Sequence, residues 1–86
     1  MVLNQALRVA EGLVGEGERD AAAIEASIRA ELGSAPLADV DYVAIVDAED
    51  LRPVSTIAGE CLIALAVRFG KTRLIDNTAV KVWRRG

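Results

Sequence analysis

The side chains able to do chemistry in this sequence are few and scattered. Histidine is absent. That removes the commonest general base and metal ligand, and with it Ser-His-Asp and Cys-His catalysis within the chain. Neither GxGxxG nor GxxxxGK followed by Ser or Thr occurs, so neither common phosphate-cradling loop is available. Cys61 is the single cysteine. With no histidine beside it, zinc binding is not expected, and its place at the start of an apolar run reads as a buried thiol. Asp47, Glu49 and Asp50 form an acidic cluster. A hard cation needs about six or more oxygen ligands and this cluster lacks EF-hand spacing, so a solvated acidic turn is expected. Asp76-Asn77 reads as a polar pair closing a strand, where such side chains bond their own backbone. Arg68 and Arg73 lie on either side of a hairpin and could bind an anion; charges protecting strand ends are the plainer reading. Lys81, Arg84 and Arg85 make a basic tail that reads as a solvated terminus. No catalytic, cofactor-binding or metal-ligating residue is assigned within the chain.

Composition sets the class. At 86 residues the chain is one domain, residues 1–86. Hydrophobic residues at 52% and charged residues at 27% give a globular balance rather than a disordered one. Aromatics are only Tyr42, Phe69 and Trp83. With a net charge of −3, that scarcity argues against nucleic acid or an anionic membrane as partner. A lone cysteine that cannot form an internal disulfide points to a reducing, cytoplasmic compartment. The longest apolar run, Cys61 to Val67, is far short of the roughly 20 residues that span a bilayer.

The elements that must position these residues follow from period and punctuation. Leu3, Leu7, Ala10 and Val14 recur at helical spacing, predicting a helix over Val2–Val14 that Gly15 and Gly17 end. The chain begins inside this helix without a capping residue, which suggests a truncated protein. Ile24, Ile28 and Leu32 predict a second helix over Glu18–Leu32, stopped by Gly33 and Pro36. From Val40 the residues turn β-branched, predicting a strand over Val40–Asp47. Ala48–Glu60 reads as a connection. Cys61–Phe69 reads as a central strand, and its nearly unbroken apolar run implies burial on both faces, with Leu65 in the core. Ala64 and Ala66 share one face and would let a helix approach closely. Gly70-Lys71 makes a tight turn to a third strand, Thr72–Asp76, and Thr78–Trp83 extends it or follows as a further short strand. The fold class is α+β: two helices packed on one face of a small, mostly antiparallel three-stranded sheet.

Two blocks carry a resemblance. Val40-Asp41-Tyr42-Val43-Ala44-Ile45-Val46-Asp47, followed by Leu51 and Pro53-Val54, resembles a "DYVEIVD" stretch and a "tL-x-P" loop of the pantothenate synthetases, or pantoate–β-alanine ligases. Ala64-Leu65-Ala66-Val67-Arg68-Phe69-Gly70 with Thr72-Arg73-Leu74-Ile75-Asp76-Asn77 resembles that family's closing "A-hydrophobic-x-G-x-TRLIDN". The spacing between the blocks fits too, and the helical segments match in pattern. The resemblance implies an enzyme that joins pantoate to β-alanine through a pantoyl adenylate, using ATP with magnesium, on the route to coenzyme A. It implies that this chain is the C-terminal, lid-like domain. The N-terminal nucleotide-binding domain, with its histidines and its lysine- and serine-rich loop, is then missing. That domain is the expected partner. Pantoate, β-alanine and ATP are expected to bind only in the full enzyme, and the fragment is expected to lack ligase activity by itself. A different class stays open: a stand-alone interaction or oligomerisation module that self-associates through a sheet edge or helix face.

Overall fold

The computed structural model describes residues 2–82. The order is α1 (Val2–Gly15), α2 (Ala21–Gly33), β1 (Ala38–Asp47), β2 (Gly59–Phe69) and β3 (Thr72–Val82). The helices cover one face of a three-stranded sheet of order β1-β2-β3, with both pairings antiparallel. β2 is central, as its apolar run predicts.

α1 buries Leu3, Leu7, Ala10 and Val14 as their spacing requires, and Ala6 with them. Its end is made by Gly17, whose φ of 108° suits glycine alone. There the Gly17 amide donates to the Val14 carbonyl and the Glu18 amide to that of Leu13, satisfying carbonyls left over at the helix end.

α2 begins three residues later than its acidic start suggests. Asp20 is extended and its carboxylate accepts from the Ala22 amide, so it caps the helix from outside. Glu18 accepts from the Arg19 and Asp20 amides and belongs to the link. The Arg19 guanidinium donates to the Val14 and Glu18 carbonyls, tying that link to the end of α1.

The strands are longer than their apolar cores. β1 starts at Ala38 and β2 at Gly59, because flanking polar residues can still pair backbone to backbone. β3 runs unbroken through Asp76-Asn77 to Val82. The polar pair therefore lies mid-strand instead of closing it; an edge strand tolerates polar residues that a central one does not. Trp83, Arg84 and Arg85 lie outside the described residues. Gly70, with φ 61°, and Lys71 form the two-residue turn between paired Phe69 and Thr72.

The connection Ala48–Ala58 is held, not loose. Ile57 in it is 2% exposed, and its amide donates to the Arg19 carbonyl while the Ala21 amide donates to that of Ser55. The core is Leu3, Leu7, Ile24, Ile28, Leu32, Ile57, Ile63, Leu65 and Val67, with smaller residues between. No helix among the described residues is long and apolar enough to cross a membrane.

Candidate functional site

Alternation along a strand sends successive side chains to opposite faces, so register decides which face each residue joins. Val43 pairs with Leu65 and Ile45 with Ile63. Cys61 pairs with Val80. All six are buried against the helices. The other parity makes the uncovered face. Across the strands it reads Val46–Leu62–Ala79, then Ala44–Ala64–Asn77, then Tyr42–Ala66–Ile75, then Asp39–Arg68–Arg73.

A bulge sets this arrangement. Val40 pairs with Val67 and Tyr42 with Ala66, leaving Asp41 as an extra residue in β1. Strict alternation from Val40 would put Tyr42 on the helix side. The extra residue flips it to the uncovered face and sends Val43 into the core. It also aims Asp41 at Arg73, whose Nε donates to Asp41 Oδ2 at 2.7 Å. The same guanidinium lies 5.9 Å from the centre of the Tyr42 ring, within cation–π reach.

The expectation that β2 is buried on both faces is corrected here. Cys61, Ile63, Leu65 and Val67 are fully buried on the helix side; on the other side Leu62 and Ala64 are only half-buried, and of the three residues there only Ala66, between Tyr42 and Ile75, is 0% exposed. Ala64 and Ala66 also lie on the uncovered face, so they do not admit the helices. Close approach comes instead from the helix side, through Ala6 and Ala10, both 0% exposed. The result is an uncovered face whose centre is apolar. Tyr42 is 37% and Ile75 58% exposed there, and Asp39, Asp41, Arg68 and Arg73 close one end of it.

The other weighed residues are placed as follows. Cys61 is 0% exposed and its thiol meets the Ala58 carbonyl at 3.6 Å. Asp47 Oδ1 accepts from the Glu49 amide at 2.8 Å and the Asp50 amide at 3.4 Å, and Asp50 accepts from the Arg52 amide. Asp47 and Asp50 thus each turn one carboxylate oxygen to the amides of their own turn. Among the described residues no group of three or more His, Cys, Asp or Glu is placed to hold a metal ion. Asp76 accepts from the Asn77 amide; both line a cleft of about 260 Å³ with Asn4, Arg8 and Glu11, where Thr78 Oγ1 donates to Glu11 at 2.6 Å. Arg68 and Arg73 are direct cross-strand partners on one face, closer than their flanking of the turn implied. Leu37 and Leu51, at either end of β1, are 86% and 62% exposed with φ of 66° and 60°. Bulky side chains rarely adopt that backbone.

Sequence reasoning missed Tyr42, Ala44, Ile75 and Ala79 as members of one face. The available signal was β2's unbroken apolar run: it marked two apolar faces, only one of which the helices cover.

Comparison with known proteins bears on what this arrangement serves. Residues 1–79 match the family described as Pantoate-beta-alanine ligase. The pantothenate synthetase of Heliobacterium modesticaldum is 54% identical over 82 residues, covering 95% of this chain and 29% of that protein. That of Syntrophomonas wolfei is 48% identical over the same shares. The crystal structure of pantothenate synthetase from Thermus thermophilus superposes with a TM-score of 0.81 at 34% identity, covering 90% of this chain and 28% of that one. The chain thus spans under a third of the length of these relatives.

Proposed function

The chain belongs to the pantoate-beta-alanine ligase family, and from that membership we propose that it works as the C-terminal domain of such a ligase, acting as a lid. The parent joins pantoate to β-alanine with ATP through a pantoyl adenylate, in the coenzyme A pathway. Its N-terminal nucleotide-binding domain holds the substrates, magnesium and the triphosphate. The donor set is consistent with this assignment: the chain has no histidine, and Asp47 and Asp50 of its acidic cluster accept from turn amides. The lid's contribution is to close over the adenylate and exclude water, which would otherwise hydrolyse it. No residue of this chain is given a catalytic role.

The observation that carries the reading is the match itself: a family relationship over nearly the whole chain, yet only 29% of the Heliobacterium relative. Pantothenate formation tests it. The 86-residue chain alone is expected to form none above background. It is also expected to bind ATP no tighter than about 10 μM, roughly −7 kcal/mol. A chimera in which this chain replaces the matching segment of the Heliobacterium enzyme is expected to be active. A folded but inactive chimera, or activity from the purified chain alone, overturns the reading.

A further inference from the structure

We propose that the uncovered sheet face is the surface on which the rest of the ligase seats, with Tyr42, Ala44, Ala64 and Ile75 at its centre. This rests on the reading of the chain as one domain of a larger ligase, and names the surface that joins them.

The face has the wrong composition for water. An antiparallel sheet with one solvated side normally alternates apolar and polar residues. Here the outward parity of β2 is Leu62, Ala64 and Ala66 before Arg68, and its neighbours are mostly apolar too. A contiguous apolar centre with charges at its margin is the anatomy of an interface. The outer helix surface is the contrast. It shows Asn4, Gln5, Arg8 and Glu11 on α1, and an exposed Glu25–Arg29 ion pair on α2, so that its exposed apolar residues, Val9, Ala22, Ala26 and Ala30, are interspersed with polar ones.

The size of the face selects the occupant. Three strands about 4.8 Å apart and about ten residues long at ~3.3 Å each give a face of about 14 by 30 Å, roughly 400 Å². Two copies face to face would bury about 800 Å² in total, short of the roughly 1,200 Å² at which specific, stable dimers begin. The same area falls within the roughly 600–1,500 Å² of interfaces between domains of one chain. Covalent linkage supplies the difference, since a tethered partner is present at an effective concentration on the order of millimolar. Relatives of this family devote only 28–29% of their length to this segment, so such a tethered partner is at hand.

Cysteine accessibility tests this. Ile75→Cys and Ala44→Cys probe the face, and Ala26→Cys probes the exposed side of α2. Each is placed in the 86-residue chain and in the Heliobacterium chimera, and maleimide labelling is read peptide by peptide by mass spectrometry. Labelling of native Cys61, buried in the fold, reports any variant that has unfolded, and the second face position then stands in for it. At both face positions labelling is expected to slow at least about tenfold in the chimera, with Ala26→Cys unchanged; tenfold is the shielding that about 1.4 kcal/mol of closure produces. Equal rates in chain and chimera overturn the proposal. So does slow labelling in the chain alone accompanied by a dimer in sedimentation, which would make the occupant a second copy. A chimera that makes pantothenate while Ile75→Cys labels freely sinks the face but not the lid. An inactive chimera with Ile75→Cys shielded sinks the lid but not the face.

Discussion

One sheet presents two largely apolar faces, in different surroundings. On the helix side Ile63, Leu65 and Val67 are fully buried, flanked by Val43 and Ile45. On the other side Leu62 and Ala64 are flanked by Tyr42, Ala44 and Ile75, with neither helix above them. Apolar character alone therefore does not say which face carries the domain's stability. Large branched side chains on the covered face do the filling, while the uncovered face is kept low by alanines. That is the composition the proposed seat for a second domain requires.

The sharpest way to break this contrast is at the centre of the covered face. Leu65→Ala removes a fully buried side chain and is expected to cost about 2–5 kcal/mol, read by urea unfolding. Such a loss is a large part of a small domain's stability. A cost under about 1 kcal/mol would show that the helix layer repacks freely, and the two faces would no longer differ in kind.

Overpacking sharpens the contrast from the other direction. Ala10→Leu puts a large side chain where α1 is 0% exposed, at an expected cost of about 1–3 kcal/mol. The same exchange on the uncovered face, Ala64→Leu, is expected to stay within about 0.5 kcal/mol, as surface substitutions do. Paired melting curves of the two variants decide it. Equal losses would mean that Ala64 is as tightly enclosed as Ala10.

The covered face was legible in the sequence and the uncovered one was not, for a physical reason. Helix stripes and apolar strand runs report that burial occurs; they do not name the partner. The run from Cys61 to Val67 announced two buried faces, and the partner we propose for the second lies outside this chain. The β-bulge at Asp41 was also hidden. A single extra residue leaves composition untouched yet reverses the parity of everything beyond it, moving Tyr42 outward and Val43 inward. Ile57 escaped because burial by a held connection has no period to detect. Asp20 reads from the sequence as a residue within the helix, whereas it stands just outside as its cap. The two motif blocks were legible as family signatures, but the fold assigns their charged residues humbler tasks: Arg73 pairs with Asp41 and Asp76 with its neighbour's amide.

A smaller effect is expected at the margin of the uncovered face. The Arg73–Asp41 pair is short at 2.7 Å but its side chains are 45% and 39% exposed. A double-mutant cycle with Arg73→Gln and Asp41→Asn is expected to give a coupling of about 0.2–1 kcal/mol, shrinking as salt rises. A coupling well above about 1 kcal/mol, insensitive to salt, would mean that water is already excluded there and that the face is less open than its exposure indicates.

The smallest effect belongs to Ile75, and its smallness is informative. The side chain is 58% exposed in this chain, so little of its apolar surface is removed from water on folding. Ile75→Thr keeps a β-branched residue in the strand, which preserves backbone preference. Stability of the isolated chain should therefore change by less than about 0.5 kcal/mol in urea unfolding. In the Heliobacterium chimera the same exchange should cost more, because fully burying an isoleucine contributes about 1.5–3 kcal/mol and threonine forfeits much of that. The difference between the two backgrounds isolates what the partner adds, since strand propensity and intradomain contacts are common to both. An equal, small effect in both would leave Ile75 in water in the complete ligase and move the seat of the other domain off this strand.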